Sequence, residues 1–99
     1  MIKNNISLPS KYGCYIYASN NCIMSNNIVK GGTQGLVIEA SSGACNNIVI
    51  EGNIVKESVV GIHGEAVDEI YSVVIANNGI YNCSSRGVYF NGENYKDLT

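Results

Sequence analysis

A repeat of 22 to 26 residues constrains the fold of this chain more than any other feature of its sequence. Each repeat contains a glycine that opens a tetrapeptide, and the four glycines lie 22, 26 and 26 residues apart. The tetrapeptides are Gly13-Cys-Tyr-Ile, Gly35-Leu-Val-Ile, Gly61-Ile-His-Gly and Gly87-Val-Tyr-Phe. Self-similarity at a fixed period of this length is typical of solenoids, in which each repeat stacks on the next.

An asparagine lies eight or nine residues before each glycine. We assign this position to Asn4, Asn27, Asn53 and Asn78, each followed two residues later by an aliphatic side chain. We expect these asparagines to adopt a left-handed conformation at a corner and to hydrogen-bond their equivalents in neighbouring coils. The segments before the last three asparagines are rich in β-branched residues, which favours strands. One repeat therefore holds three short strands and no helix.

The spacing of these strands predicts the architecture. A βαβ unit needs roughly 30 residues or more, and two-residue hairpin turns are absent between the strands. We therefore predict an all-β fold: a right-handed, single-stranded parallel β-helix of about four coils, with three short parallel sheets and no caps. Residues 1–99 form one domain. Its open coil ends indicate a segment of a longer β-helix, or ends covered by other subunits or by end-to-end stacking.

The repeat resembles that of the pectate-lyase-like right-handed parallel β-helix superfamily, which reads roughly as asparagine, x, aliphatic, a loop, then glycine, aliphatic, x, aliphatic. The resemblance covers nearly all of the chain. It implies the fold more strongly than a function, because this superfamily includes polysaccharide lyases, polygalacturonases, epimerases, phage tailspikes and repeats without known activity. It also implies that the strand after each glycine, with its flanking loops, forms a polysaccharide groove.

Alternation along each strand predicts eighteen inward positions. Seventeen are apolar, and we expect the large Phe90 to match the small Gly64 in the neighbouring coil. The other inward residues are Cys14, Ile16, Leu36, Ile38, Ile62, Val88, Cys22, Met24, Ile48, Ile50, Val73, Ile75, Ile6, Val29, Val55 and Ile80. Cys14, Cys22, Cys45 and Cys83 show neither zinc-site spacing nor the density of a disulfide scaffold, so we expect buried free thiols.

The strand after each glycine displays two outward rows, which are Tyr15, Val37, His63 and Tyr89, and Tyr17, Glu39, Glu65 and Asn91. Aromatic rings suit the apolar faces of sugars. The substrate-binding residues that we predict on this face are Tyr15, Tyr17, Tyr89, Asn91 and Arg86. Glu39 and Glu65 would lie one coil apart, near the roughly 5 to 5.5 Å that separates the carboxyl groups of a retaining glycosidase. A catalytic role for Glu39, Glu65 and His63 and a merely solvent-facing role stay open alternatives.

A second surface carries aliphatic side chains. Ile23, Val49 and Val74 should face outward in one stripe, with Ile28 and Ile54 flanking it beyond the corner. Contiguous exposed aliphatics are typical of interfaces. By resemblance to viral tailspikes we predict a homo-oligomer, either a trimer packed about this stripe or an end-to-end stack. The alternative is a loop that folds over the stripe.

Charge and composition limit the partners. The net charge is −2, and only six lysines and arginines are scattered along the chain, so we predict no nucleic acid partner. No apolar run approaches the roughly 18 residues of a membrane span, which predicts a soluble protein, extracellular or virion-associated. Asp68 and Glu69 supply acids, but Arg86 is the only arginine; we predict no metal site and no cofactor.

Three functions of different classes follow. The first is a carbohydrate-binding β-helix segment of a receptor-recognising spike or fibre, most readily of a phage, whose partner is a polysaccharide or glycan. The second is a fragment of a polysaccharide hydrolase or lyase with Glu39 and Glu65 as its acid and base. The third is a structural module that stacks or trimerises. The short stack favours binding or assembly over catalysis, because four coils span only about 19 Å at about 4.8 Å each.

Overall fold

The computed structural model of the chain describes residues 1–8, 10–92 and 95–98, and all regular secondary structure in them is β-strand. The strands form three parallel sheets. Sheet A contains β1 (Ile2–Lys3), β4 (Asn20–Ser25), β7 (Cys45–Glu51), β10 (Ile70–Ala76) and β13 (Tyr95–Leu98). Sheet B contains β2 (Ile6–Ser7), β5 (Ile28–Lys30), β8 (Ile54–Lys56) and β11 (Gly79–Tyr81). Sheet C contains β3 (Tyr12–Tyr17), β6 (Gln34–Ala40), β9 (Val60–Ala66) and β12 (Arg86–Gly92).

Every strand pairs with the strand three places along the chain, and consecutive strands belong to different sheets. The backbone therefore coils, and each coil lies on the one before it, which confirms the predicted parallel β-helix. Leu36 pairs with Ile62, as the repeat predicts. Two sheets are four strands deep and the third is five, so three coil-to-coil steps separate the first and fourth strands of a sheet. Within the described ranges no helix has the length and apolar character of a membrane span.

The core consists of inward ladders that run along the axis of the coils. Leu36, Ile38, Ile48, Ile50 and Ile62 are completely buried, and Met24, Val29, Val55 and Val73 join them. Most of the predicted core is therefore confirmed. Val88 lies in register with Ile62 but is half exposed, because β12 is the edge strand of sheet C.

The first coil departs from the prediction by one residue. Asn5, and not Asn4, occupies the asparagine position, since both its backbone N–H and its side-chain amide donate to Oδ1 of Asn27. Ile6 consequently pairs with the outward Ile28 and is 78% exposed, while Ser7 takes the position that pairs with the buried Val29. The prediction of Ile6 in the core is wrong for this reason.

The asparagine ladder itself is confirmed. Asn53 is fully buried; its side-chain nitrogen donates to Oδ1 of Asn78 at 3.0 Å and to the carbonyl of Met24 at 3.1 Å. Its Oδ1 accepts the backbone and side-chain N–H groups of Asn27 at 2.9 and 3.0 Å. All four hydrogen-bonding positions of the amide are thus satisfied, which lets a polar side chain lie in the core without a desolvation penalty.

The left-handed residue at this corner is the one before the ladder, so the predicted left-handed conformation is confirmed for Asn4, with φ of 59°, and is wrong for Asn27, Asn53 and Asn78. Asn26, Gly52 and Asn77 have φ of 55°, 68° and 58°, whereas Asn27, Asn53 and Asn78 do not have positive φ. Asparagine and glycine tolerate this conformation at the lowest cost. The corner therefore uses two consecutive residues. The first turns the backbone through its positive φ, and the second hydrogen-bonds to the neighbouring coils.

A second left-handed position bends the strands of sheet A. Asn21, Asn47 and Ser72 have φ of 57°, 58° and 55° within β4, β7 and β10. The bend interrupts the period-two alternation, so Cys45 and Ile70 point inward although the next inward side chain is three positions later, at Ile48 and Val73. Alternation alone could not find these two core residues.

The repeat glycines allow neighbouring coils to approach closely. A Cβ added to Gly35 would lie 2.6 Å from the carbonyl oxygen of Gly61, and one added to Gly61 would lie 2.5 Å from that of Gly87. Real Cβ atoms essentially never lie this close to a backbone atom of another residue. Glycine at positions 35 and 61 thus avoids a clash between neighbouring strands of sheet C.

Candidate functional site

The outer face of sheet C carries the two predicted rows in register. In the first row Tyr15 pairs with Val37, Val37 with His63 and His63 with Tyr89. In the second row Tyr17 pairs with Glu39, Glu39 with Glu65 and Glu65 with Asn91. These eight residues are called the sheet C face below, although Val37 is only 1% exposed and so is not displayed to solvent as predicted. They cross four strands, which is about 14 Å at the usual spacing of about 4.8 Å.

Three tyrosine rings form a row along β3. Tyr12 and Tyr15 stack at 5.1 Å between ring centroids, Tyr15 and Tyr17 stack at 6.0 Å, and Nζ of Lys11 lies 5.0 Å from the centroid of Tyr12. Both faces of Tyr15 are therefore against other rings. Tyr17 is at the end of the row, its hydroxyl lies 2.6 Å from Oγ of Ser42, and it is 43% exposed. Of the predicted tyrosines on β3, Tyr17 thus offers the more open ring.

Tyr15 holds Glu39 in place. The Tyr15 hydroxyl donates to Oε1 of Glu39 at 2.5 Å, a charge-assisted bond between neighbouring strands. Desolvation raises the pKa of the Tyr15 phenol above its usual range, and the hydrogen bond to Glu39 and the charge of that carboxylate raise it further. Tyr15 therefore acts as a hydrogen-bond donor that fixes the orientation of an acidic side chain.

Glu65 is held from two sides. Oε2 accepts a hydrogen bond from Nδ2 of Asn91 at 3.1 Å and lies 3.3 Å from Nε2 of His63. Both neighbours belong to the sheet C face. Asn91 lies in the next coil, in register with Glu65, and His63 lies two residues before Glu65 on the same strand. The structure thus brings the predicted Glu39, Glu65, His63 and Asn91 together on one face. Tyr15 orients the carboxylate of Glu39, and Asn91 and His63 orient that of Glu65.

His63 faces outward but is only 8% exposed, so it is not the solvent-facing histidine of the simpler alternative. The ring of Tyr89 lies 5.5 Å from the imidazole, and Arg86 lies 4.0 Å from the centroid of Tyr89 on the ring face. This layered arrangement covers His63 from the side of the edge strand. Its Nδ1 is buried without a hydrogen-bond partner among the described residues.

Sequence reasoning missed three contributors to this face. Tyr12 and Lys11 extend the aromatic row, and Ser42 anchors Tyr17 from the segment after β6. Tyr12 precedes the glycine that marked the start of the strand, so the repeat gave it no position. The available signal was the occurrence of three tyrosines within six residues. Ser42 had no signal, because its contact depends on the path of a loop.

The aliphatic stripe is also in register. Ile23 pairs with Val49 and Val49 with Val74 on sheet A, and Ile28 pairs with Ile54 on sheet B. Val74, Ile28 and Ile54 are exposed, while Ile23 and Val49 are partly exposed. No loop within the described ranges covers Val74. Ile6 extends the sheet B row, because it pairs with Ile28.

A parallel β-helix with one aromatic and acidic sheet face is the class of protein that these observations define. The family comparison gives a more specific answer. All 99 residues match the model of the family described as NosD, periplasmic copper-binding protein, and the chain belongs to this family. No curated protein and no solved structure matches the chain. The narrower assignment to the pectate-lyase-like superfamily stays a prediction.

The family description names copper, so the donor set of this chain can be tested against that metal. His63 is the only histidine in the sequence, and it meets a single acidic partner, Glu65. Burial raises the pKa of the Cys14 and Cys45 thiols, which disfavours the thiolate form that binds a metal. No group of three or more histidine, cysteine or acidic side chains that could hold a metal occurs in the described part of the chain. The described residues therefore do not fit a copper site.

Proposed function

We propose that the sheet C face is a carbohydrate-binding surface. The observation that carries the proposal is the register of its two rows, which aligns aromatic, acidic and amide side chains across four neighbouring strands. Ring faces pack against the C–H faces of sugars, and carboxylate and amide groups bind hydroxyls. The parallel ladders repeat at a regular distance along the axis of the coils, which suits a repeating polymer as ligand.

The rigidity of the face supports binding further. The hydroxyl of Tyr15 fixes Glu39, Asn91 and His63 fix Glu65, and Ser42 fixes Tyr17. Side chains that are already ordered lose little conformational entropy when a ligand binds. A sugar would therefore meet a preformed set of acceptors and rings.

The family description favours the periplasm as the compartment in which this surface acts. The alternative is that the chain is part of a receptor-recognising spike or fibre. A parallel β-helix with a sugar-binding face suits both the periplasm and such a fibre. The proposal for the sheet C face does not depend on which setting applies. It is tested on the isolated chain.

A glycan array with purified protein tests the proposal. Wild type should bind a limited set of glycans, and Tyr17→Ala should weaken that binding at least tenfold. Tyr81→Ala is the matched control, because Tyr81 is 56% exposed on sheet B, away from the sheet C face. Absence of any glycan ligand for wild type, or equal loss in both variants, would overturn the proposal.

Glycoside hydrolysis is a second candidate, favoured by one observation. Glu39 and Glu65 pair in register on adjacent strands, and adjacent strands are about 4.8 Å apart, close to the carboxyl separation of a retaining enzyme. A reducing-end assay on any polysaccharide that the protein binds tests this candidate. Release by wild type and none by Glu65→Gln would establish it. No release by wild type would leave the face as a binding surface only.

A further inference from the structure

Two carboxylates dominate the charge at the centre of the sheet C face. Glu39 and Glu65 lie on the two inner strands of sheet C, β6 and β9. The only arginine, Arg86, lies on the edge strand with its guanidinium against the ring of Tyr89. The centre of the face is therefore negative, and its two cations lie at the sides, Arg86 beside Tyr89 and Lys11 beside Tyr12.

Neither carboxylate is neutralised by a lysine or an arginine within the described ranges. The ion pairs found there are Lys30 with Glu57, on another surface, and His63 with Glu65. Glu39 accepts its bond from the uncharged phenol of Tyr15, and Glu65 accepts from the uncharged amide of Asn91. Each carboxylate keeps further lone pairs that can accept hydrogen bonds from a ligand.

The buried imidazole of His63, beside Glu65, is an independent sign of a ligand surface. His63 is more than nine-tenths buried, yet Nδ1 has no hydrogen-bond partner among the described residues. Native proteins leave few buried polar atoms unpaired, and those that are unpaired call for an explanation. Its contacts with Glu65 and with the ring of Tyr89 place this imidazole on the same face as the two carboxylates.

From these contacts we infer the chemical class of the glycan, an inference that rests on the proposed carbohydrate-binding function. The sheet C face selects sugars that carry hydroxyl or amine groups and excludes sugars that carry carboxylate or sulfate. Hydroxyls and ammonium groups donate charge-assisted hydrogen bonds to Glu39 and Glu65. An anionic sugar bound over Glu39 and Glu65 would face two like charges, and the nearest cations, Lys11 and Arg86, lie beside the rings of Tyr12 and Tyr89 and pair with neither carboxylate. Polyuronates, the substrates of polysaccharide lyases, are therefore excluded.

The test uses an array that holds neutral, amine-bearing, uronate-bearing and sulfated glycans. We expect binders from the neutral and amine-bearing classes, and at least tenfold weaker binding of chains that differ from these only by acidic groups. Equal or tighter binding of the acidic chains overturns the inference and leaves carbohydrate binding intact. Absence of binders in every class overturns the carbohydrate-binding function itself.

A double variant separates charge from shape. Glu39→Gln with Glu65→Gln keeps the size and an acceptor oxygen at each position while it removes both charges. We expect the variant to lose most of its discrimination between chitosan oligomers and oligogalacturonate, and an unchanged preference overturns the inference.

Wild type gives an independent measurement that needs no substitution. Its discrimination between the two oligomers should narrow as salt increases, since salt screens charges at an exposed face, and salt-independent discrimination also overturns the inference.

Discussion

The ring of Phe90 occupies the space that Gly64 leaves in the neighbouring coil. The two residues pair in register on β12 and β9, and a Cβ added at Gly64 would lie 2.5 Å from Cδ2 of Phe90. Gly64 does not have a positive φ, so alanine at this position meets only the ring and no backbone strain. The core of the last described coils is thus fitted by a large and a small residue in contact.

This contact predicts a coupled pair of substitutions. Gly64→Ala should lower the free energy of unfolding by about 1–3 kcal/mol, the usual cost of overpacking a core. Phe90→Leu in the same chain should recover part of that loss, because the smaller side chain makes room for the new methyl group. A double-mutant cycle from urea denaturation measures the coupling. Strictly additive effects of the two changes would contradict the contact.

The buried asparagine ladder predicts a large effect at Asn53. Asn53→Ala removes four hydrogen bonds: the backbone N–H of Asn27 loses its acceptor, and the side-chain amide of Asn27, the carbonyl of Met24 and Oδ1 of Asn78 each lose one partner. Because each buried group left unpaired costs about 1–3 kcal/mol, the loss in unfolding free energy should be at least about 3 kcal/mol. Chemical denaturation measures it.

Asn20 supplies the matched control for Asn53. Its Oδ1 accepts the backbone and side-chain N–H groups of Asn46 at 3.1 and 2.8 Å, in the same pattern, but on the exposed surface. Water replaces these bonds, so Asn20→Ala should cost less than about 1 kcal/mol. Similar losses in the two variants would show that burial does not decide the strength of the ladder.

The close approach of coils predicts a large loss of stability on substitution of one repeat glycine and almost none on substitution of another. Gly35→Ala should destabilise the fold by about 1–3 kcal/mol or more, because the new Cβ would meet the backbone oxygen of Gly61, which cannot rotate away. Gly87→Ala should change the stability by less than about 0.5 kcal/mol. The nearest atom to a Cβ there is Cγ2 of Ile80 at 3.7 Å, an ordinary contact. Thermal denaturation of both variants distinguishes a steric requirement from a general preference for glycine.

The sequence predicted the architecture well because stacking forces a pattern onto it. Glycines that meet a backbone oxygen and asparagines that bond from coil to coil must recur at each coil, so their spacing reveals the period. The error in the first coil arose from matching aliphatic residues two positions after the asparagine. The constant spacing of eight residues from Asn5 to Gly13, from Asn27 to Gly35 and from Asn53 to Gly61 gives the correct register.

The candidate site was predictable in its position and less so in its contacts. Strand alternation located Glu39, Glu65 and Tyr17 on one face. It could not predict that Tyr15 is enclosed by other rings or that His63 is covered, because these features depend on how long side chains lean across neighbouring strands. The left-handed bend at Asn47 likewise depends on local backbone conformation, and it concealed Cys45 as a core residue.

The raised pKa of Tyr15 predicts a loss of stability at alkaline pH. The folded protein retains the phenolic proton to a higher pH than the unfolded chain, in which tyrosine titrates near pH 10. The contribution of Tyr15 is therefore complete below about pH 10 and decreases as the pH rises beyond it. The stability difference between wild type and Tyr15→Phe should be smaller at pH 11 than at pH 8 when measured by urea denaturation.

Glu39→Gln tests the cause of that dependence. This variant removes the charge that opposes ionisation of Tyr15 but leaves the phenol partly desolvated. Its alkaline slope should be intermediate between those of wild type and Tyr15→Phe. A slope equal to that of wild type would mean that desolvation alone raises the pKa, and that Glu39 does not contribute.

Self-association through the aliphatic stripe stays a prediction that solution measurements can decide. Ile23, Val49 and Val74 form a continuous row on sheet A, and Val74 is 41% exposed with no described loop over it. Burial of apolar surface favours association by about 25 cal/mol per Å² removed from water. Wild type should therefore form dimers or trimers in sedimentation equilibrium at high protein concentration.

Val49→Lys should shift the protein to monomer, because it introduces a charge at the centre of the row. Val67→Lys should not do so, because Val67 is exposed in the segment between β9 and β10, outside the row. A wild-type protein that is monomeric at all concentrations would remove the interface and leave the stripe as exposed surface.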